Sequence, residues 1–521
     1  MSMAARAVSH LVLFLVLSVT GAWLWQQHAH AWDLGRRSPI LSYDAAQYMV
    51  AARELAQHGR FATTYALPLE LGKHSQPPWP LALVQPGLVI GEAMLYRTTP
   101  APVRTVGGRR FESRRPDQLE SLALVIPCSS YLLIAIALAL ATSHLMRLSF
   151  PAVSTPSRTL AGGLVALAFL LDPESQHYAV GGFTELPFTL GLVCAIGMLA
   201  LGIAARWPLL FGLVLGVTGS FRGTMLWLAP AIAMGTACSV ERGHRVRLFA
   251  RVMIGYAIPL IPWWLYKWHA FGTPAWDLSA LSVWDGVQGR TWFTIFHQTD
   301  APELPQGLEA LSLLAQKTLR NLPQVAGLLA RGLLPLFAGA QLLWFATARE
   351  APRAMRAAVV TVFVLLAISA FTAALSVPQL RYLYPARMPF EAAGILTLIQ
   401  LADKAPSASR RARVLLVAAC AVLVLGWGAW QTWRGGLEAA EASQERGTPG
   451  TLTLLQIASL MSREIPAGEP VMSNLGPTLA WEARRPVIAL SSSPDDLNAC
   501  RRRMDFHHVL LVFREADRAW P

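Results

Sequence analysis

Long apolar blocks constrain this chain more than any other feature. Residues 119–142, 252–268 and 357–376 each run for about twenty residues with few charges, and a helix of that length crosses roughly 30 Å of hydrocarbon. Hydrophobic residues fill 54% of the 521 positions and charged residues only 14%, against roughly a quarter in ordinary soluble chains. These figures exclude a soluble enzyme. The formal charge of +13 does not point to nucleic acid. The Lys and Arg residues sit mostly in short loops beside apolar blocks, where basic residues orient membrane proteins.

About eleven spans are expected, near 9–26, 119–142, 160–172, 185–203, 207–220, 224–239, 252–268, 324–346, 357–376, 388–402 and 413–430. The fold class is therefore an all-α polytopic membrane protein. Ala29-His30-Ala31 resembles a signal-peptidase site. The run before it is long for a signal core and many spans follow, so it is read as an uncleaved first span. Three basic loops alternate as cytoplasmic loops should. They carry Arg242, Arg245, Arg247 and Arg251, then Arg349, Arg353 and Arg356, then Lys404, Arg410, Arg411 and Arg413. The N-terminus is then cytoplasmic and the C-terminus external.

This topology gives a membrane domain over 1–430 with long external segments at 27–118 and 269–323, and a small external α/β domain over 431–521. In the tail, 470–473, 487–490 and 507–513 read as strands, and 451–464 and 495–504 as helices. Residues 80–96 are apolar but broken by Pro86 and Gly87, and they carry Glu92. They are read as a re-entrant or interfacial helix, because a span there disturbs the later alternation. The cluster Arg97, Arg104, Arg109, Arg110, Arg114 and Arg115 stands against this reading. The five cysteines show no metal-ligand spacing or disulfide framework.

Several ionisable residues stand at the external edges of apolar blocks, each with two readings. Asp44 either caps the amphipathic helix of about 44–58 or does chemistry at the water–lipid boundary. That helix carries Ala45, Met49, Ala52 and Leu55 at helical spacing, which suits the membrane surface. His74, beside Lys73 and ahead of Pro77-Pro78, is either exposed or a phosphate ligand. Glu185, in Thr184-Glu185-Leu186-Pro187, either complements a helix dipole or has a job. With Asp172 and Glu174 it concentrates negative charge suited to a divalent cation, although the spacing is not diagnostic. Arg222 is either a turn arginine or a ligand, and Lys267 lies within an interfacial run of aromatics. Arg381, followed by Tyr382, either snorkels or binds phosphate with its planar fork.

The order of these motifs carries a resemblance. A span is followed by an external Asp44, by Pro77-Pro78, by Thr184-Glu185-Leu186-Pro187, by Phe221-Arg222, by Phe271-Gly272-Thr273-Pro274 and by Arg381-Tyr382 with Pro385 and Pro389. In this the chain resembles the GT-C glycosyltransferases of the protein-mannosyltransferase and aminoarabinose-transferase type, over roughly residues 9–430. The resemblance implies a polyprenyl-phosphate sugar donor and transfer to a lipid, glycan or protein acceptor of the cell envelope, outside a bacterial inner membrane. It implies Asp44 as the catalytic, acceptor-activating group, a general base. Members often have Asp-Glu there, and this chain has Asp44-Ala45, so Glu185 or Asp172 is left to supply a second negative charge. Arg381 is the first choice to stabilise the leaving phosphate, with Arg222, Lys267 and His74 behind it.

Two other classes remain in view. A flippase for lipid-linked sugars would show internal repeats and charges near mid-membrane, whereas no clear repeat is visible and the ionisable residues cluster at outer ends. A non-catalytic assembly protein would tolerate loss of Asp44. No Walker-type loop or Gly-rich strand-to-helix turn is present, in keeping with a lipid-linked donor.

Overall fold

A computed structural model describes residues 3–36, 41–99, 103–106, 109–112, 120–149, 155–330, 332–347, 351–404, 422, 426–427, 430, 434, 450–466 and 468–512. Most of it is a bundle of apolar helices. Among the described residues, His10–Ala29, Leu122–Leu148, Arg242–Phe271 and Arg353–Leu375 are each long and apolar enough to cross a membrane. Shorter apolar helices, Ala161–Leu170, Glu185–Ala200, Pro208–Gly219 and Met225–Cys238, pack among them. The helix Leu380–Lys404 carries Arg381 at its start. The last expected span, 413–430, falls outside the described residues apart from 422, 426–427 and 430, and the loop with Arg410 and the side chains around Arg109 fall outside them as well.

One core joins the interior faces of these helices, from Leu17 to Ile399. Their outer faces keep Leu209, Leu210, Val217, Trp227, Ile258 and Leu265 exposed. An exposed apolar surface that broad suits lipid. Apolar contact offers little drive for helix pairing inside a bilayer, so close backbone approach matters. Pro208–Gly219 and Arg245–Phe271 show it: a Cβ on Gly212 would sit 2.2 Å from Val252 O, and one on Gly255 2.4 Å from Leu209 O.

The expected span over 324–346 is two helices instead, Gly307–Leu329 and Leu334–Thr347. The first is amphipathic. Its Lys317 donates to Val283 O at 2.9 Å and its Asn321 to Ala374 O at 2.8 Å. Leu308, Leu311, Leu319 and Leu322 remain exposed in a stripe at helical spacing, as on a helix lying at a membrane surface. The 80–96 block forms the helix Pro86–Thr98. It runs beside the helix Tyr43–His58, and Arg97 donates to Leu55 O and Ala56 O, both at 3.0 Å.

The tail gives Gly450–Glu464, Val471–Ser473, Val487–Ala489, Pro494–Arg503 and His508–Leu510, close to the expected elements. It also contains the helix Gly476–Ala483. Its sheet does not keep to a boundary near 430. The four parallel strands run, side to side, Tyr65–Ala66, Val487–Ala489, Val471–Ser473 and His508–Leu510, so the edge strand comes from the first long loop. The helix Tyr43–His58 differs from expectation for a related reason. Ala45, Ala46, Met49 and Val50 are buried in one core with Leu479, Ala480 and Val487 of the tail. Its apolar face meets protein, not lipid.

Candidate active site

The helix Tyr43–His58 begins at Ser42, whose hydroxyl accepts from Ala45 N at 3.2 Å and donates to Gly181 O at 2.9 Å. Ser42 is thus the cap. Asp44 stands in the first turn with its carboxylate directed elsewhere. The loop it touches is tight. Gly182 has φ +67°, and a Cβ there would lie 2.6 Å from Ala45 Cβ, so the chain needs glycine at that point.

Asp44 Oδ2 accepts from Arg381 Nη2 at 2.8 Å, and Arg381 Nε donates to Glu185 Oε1 at 3.0 Å. Arg222 Nη1 lies 2.7 Å from the same Glu185 oxygen. That contact is short, yet the nitrogen is not aligned as a hydrogen-bond donor, and Glu185 Oε2 has no hydrogen-bond partner among the described residues. The contact is an ion pair. Glu185 is wholly buried, whereas the Asp44 and Arg381 side chains are each 33% exposed. The two guanidinium groups flank the Tyr382 ring, and Arg381 also lies over Phe183. Arg222 and Tyr382 line a small cleft with Phe188, Thr372 and Pro385.

Four sequence candidates, Asp44, Glu185, Arg222 and Arg381, are thus in one network, with Tyr382 beside them. The others have different hydrogen-bond partners. Asp172 caps the helix Pro173–Ala179, accepting from Ser175 N at 2.8 Å and Ser175 Oγ at 2.7 Å. Ser175 Oγ in turn meets the Tyr384 hydroxyl at 2.6 Å, one turn beyond Arg381. His74 Nε2 lies 2.8 Å from Ala270 O, and Lys267 Nζ donates to Trp276 O at 2.9 Å. Both fasten the loop after the helix Arg245–Phe271. No group of three or more His, Cys, Asp or Glu side chains placed to hold a metal occurs among the described residues.

Sequence reasoning missed several neighbours. A Cβ on Gly223 would sit 3.3 Å from both Asp277 Oδ2 and Gln85 Nε2, which brings those side chains beside Arg222. Arg53, nine positions beyond Asp44, is buried and donates to Ala480 O and Trp481 O, both at 3.0 Å. It ties the Asp44 helix to the tail. Arg387 pairs with Glu391 at 2.6 Å. Arg53 looks like a surface charge in sequence, and only the distant tail buries it.

A bundle of apolar helices, an amphipathic helix holding an acid at one end and an α/β unit packed on that helix make up a membrane-protein fold of the kind seen in ArnT. The structure is similar to that of ArnT from Cupriavidus metallidurans bound to undecaprenyl phosphate, with TM-score 0.53 and 15% identity over 95% of this chain and 89% of that one. It is also similar to the apo state of the same protein, with TM-score 0.52 and 16% identity over 95% and 88%. No protein-family model and no curated protein sequence matches the chain.

Proposed function

We propose that this chain is a glycosyltransferase that moves a sugar from a polyprenyl-phosphate-linked donor to an acceptor at the external face of a bacterial inner membrane. The observation that carries the reading is the pairing of Asp44 with Arg381, 337 residues apart, over a buried Glu185. Two arginines around one buried carboxylate leave the network open to an anion, and a partly exposed carboxylate beside them suits a base.

Asp44 is the general base. It takes the proton from the acceptor's attacking hydroxyl or amine. The new bond forms at the sugar's anomeric carbon as the bond to the phosphate oxygen breaks, and the polyprenyl phosphate leaves with the electron pair. Arg381 stabilises that leaving anion, assisted by Arg222. Before the donor arrives, Asp44 is held by Arg381. A phosphate that takes over the guanidinium frees Asp44 to accept a proton. The residues present do not fit a divalent ion: Glu185 already faces guanidinium groups, and Asp172 caps a helix. Undecaprenyl phosphate in the ArnT structure supports a polyprenyl-phosphate partner. Arg245 and Arg353 begin helices at the end of the bundle away from Asp44, which supports a cytoplasmic position for that end and an external one for the tail.

The test is lipid and glycan mass spectrometry on membranes with the protein, without it and with Asp44→Asn. The expected outcome is accumulation of a polyprenyl-phosphate sugar and an acceptor lighter by one sugar, identical in the deletion and the variant. Unchanged pools in cells that make the protein would overturn the proposal. Lipid movement across the bilayer with no glycosylated product would favour a transporter, and full function with Asp44→Asn an assembly role.

A further inference from the structure

The helix Leu122–Ser149 starts beside the Asp44 helix, where Leu122 and Ala123 share its core, and ends on the far side of the bundle. There the structure holds a second, larger cavity, of about 920 Å³ and open to the outside. Its polar lining is His10, Ser143, His144, Arg147, Arg158 and Thr159. Among the described residues, no acidic side chain lines it. Ser143 Oγ donates to Arg158 O at 3.2 Å and so fixes the end of one helix against the start of the next. Its remaining walls are apolar, with Ala137, Leu140, Val193, Met198 and Val214 among them.

Dimensions and charge together select the occupant. From Ala137 to Arg147 the helix rises about 15 Å at ~1.5 Å per residue. That is about half of the roughly 30 Å hydrocarbon layer, the depth of one leaflet. A trough of that depth with arginines at its mouth matches a molecule with an acyl chain below and a negative charge above. Ala141, Val193 and Gly197 also line a small neighbouring apolar cavity of about 70 Å³, bounded by Pro389, Ala393 and Leu396 of the Arg381 helix. The two cavities share that wall. A chain in the trough therefore lies one packing layer from the helix that carries Arg381.

We propose that this cavity is a binding site for an anionic phospholipid of the leaflet opposite Asp44, its phosphate held by Arg147 and Arg158 and one acyl chain in the trough. The site is separate from the ion-pair network and needs no glycosyl transfer.

Native mass spectrometry of the delipidated protein tests it, with phosphatidylglycerol and phosphatidylcholine added separately and undecaprenyl phosphate added in competition with phosphatidylglycerol. Wild type should form its first phosphatidylglycerol adduct at about tenfold lower lipid concentration than its first phosphatidylcholine adduct. The Arg147→Gln/Arg158→Gln variant should lose that preference, and Arg147→Lys/Arg158→Lys should keep most of it, which separates lost charge from lost folding. Val193→Phe, which fills the trough, should weaken the phosphatidylglycerol adduct with both arginines in place. Equal binding of the two phospholipids by wild type, or a preference untouched by the Gln variant, would overturn the proposal. Undecaprenyl phosphate displacing phosphatidylglycerol in an Arg147- and Arg158-dependent way would overturn the choice of occupant.

Discussion

Arg381 reaches two carboxylates through two different nitrogens, Nε to Glu185 and Nη2 to Asp44. Lysine offers a single compact ammonium and cannot span both. Arg381→Lys is therefore expected to slow transfer at least ~10-fold despite the retained charge, measured as the initial rate on a lipid-linked donor. A near wild-type rate would show that charge alone suffices. Glu185 is a structural hub as well. Removing its charge strands the Arg222 guanidinium, only 11% exposed, and leaves Arg381 with Asp44 alone. Loss of one partner from a buried pair costs roughly 3–5 kcal/mol. Glu185→Gln should thus lower the thermal unfolding midpoint in detergent far more than Asp44→Asn does. These four residues were legible in the sequence because a charge at the edge of an apolar block is expensive and stands out. Gln85, Asp277 and Arg53 were not, because in polar loops or on an amphipathic helix such residues look ordinary until a distant segment packs on them.

The placement of Asp44 depends on its helix, which is gripped on one side by the 181–184 loop and on another by the tail. Gly182 sets the first grip, with φ +67° and no room for a Cβ beside Ala45. Gly182→Val is strained in conformation and in space. It should shift the Asp44 helix and cut transfer roughly 100-fold, the scale of loss that a 1 Å misplacement produces. An unaffected rate would mean that the loop does not set the position of Asp44. Arg53 sets the second grip. Arg53→Met removes both bonds to the tail carbonyls, and limited proteolysis should then cut the tail faster than in wild type. At this scale the tail's own strands and helices were legible because each has a period of its own. The strand Tyr65–Ala66 was not, since two residues carry no alternation. The block at 324–346 was read as one span because it is almost wholly apolar, while buried Lys317 and Asn321, ahead of it on the helix Gly307–Leu329, hold that helix against a neighbouring loop and the bundle end.

Stability of the whole molecule should carry a mark of Glu70. This carboxyl is buried in the first long loop, accepts from Leu67 N at 2.7 Å, and is pushed by burial from an ordinary 4.5 up to about 8. A folded-state value above the unfolded one means that the folded chain holds the extra proton between those pH values. Its contribution is then complete below about 4.5 and is lost as pH rises through about 8. Unfolding midpoints should fall over that window, and Glu70→Gln should flatten the fall; an unchanged slope in the variant would refute the assignment. Glu70 lies close to the strand Tyr65–Ala66, which pairs with Val487–Ala489. The Arg53 contacts with the tail likewise link residues 428 positions apart. Since these contacts join segments 428 positions apart, with the later one made last, the Asp44 helix waits for its second grip until every intervening span has been inserted. Were one span to enter the membrane the wrong way round, the tail would emerge on the other side, and neither the sheet nor the second grip would form. The shared sheet thereby acts as a check on membrane insertion: a chain threaded incorrectly is left without an assembled site.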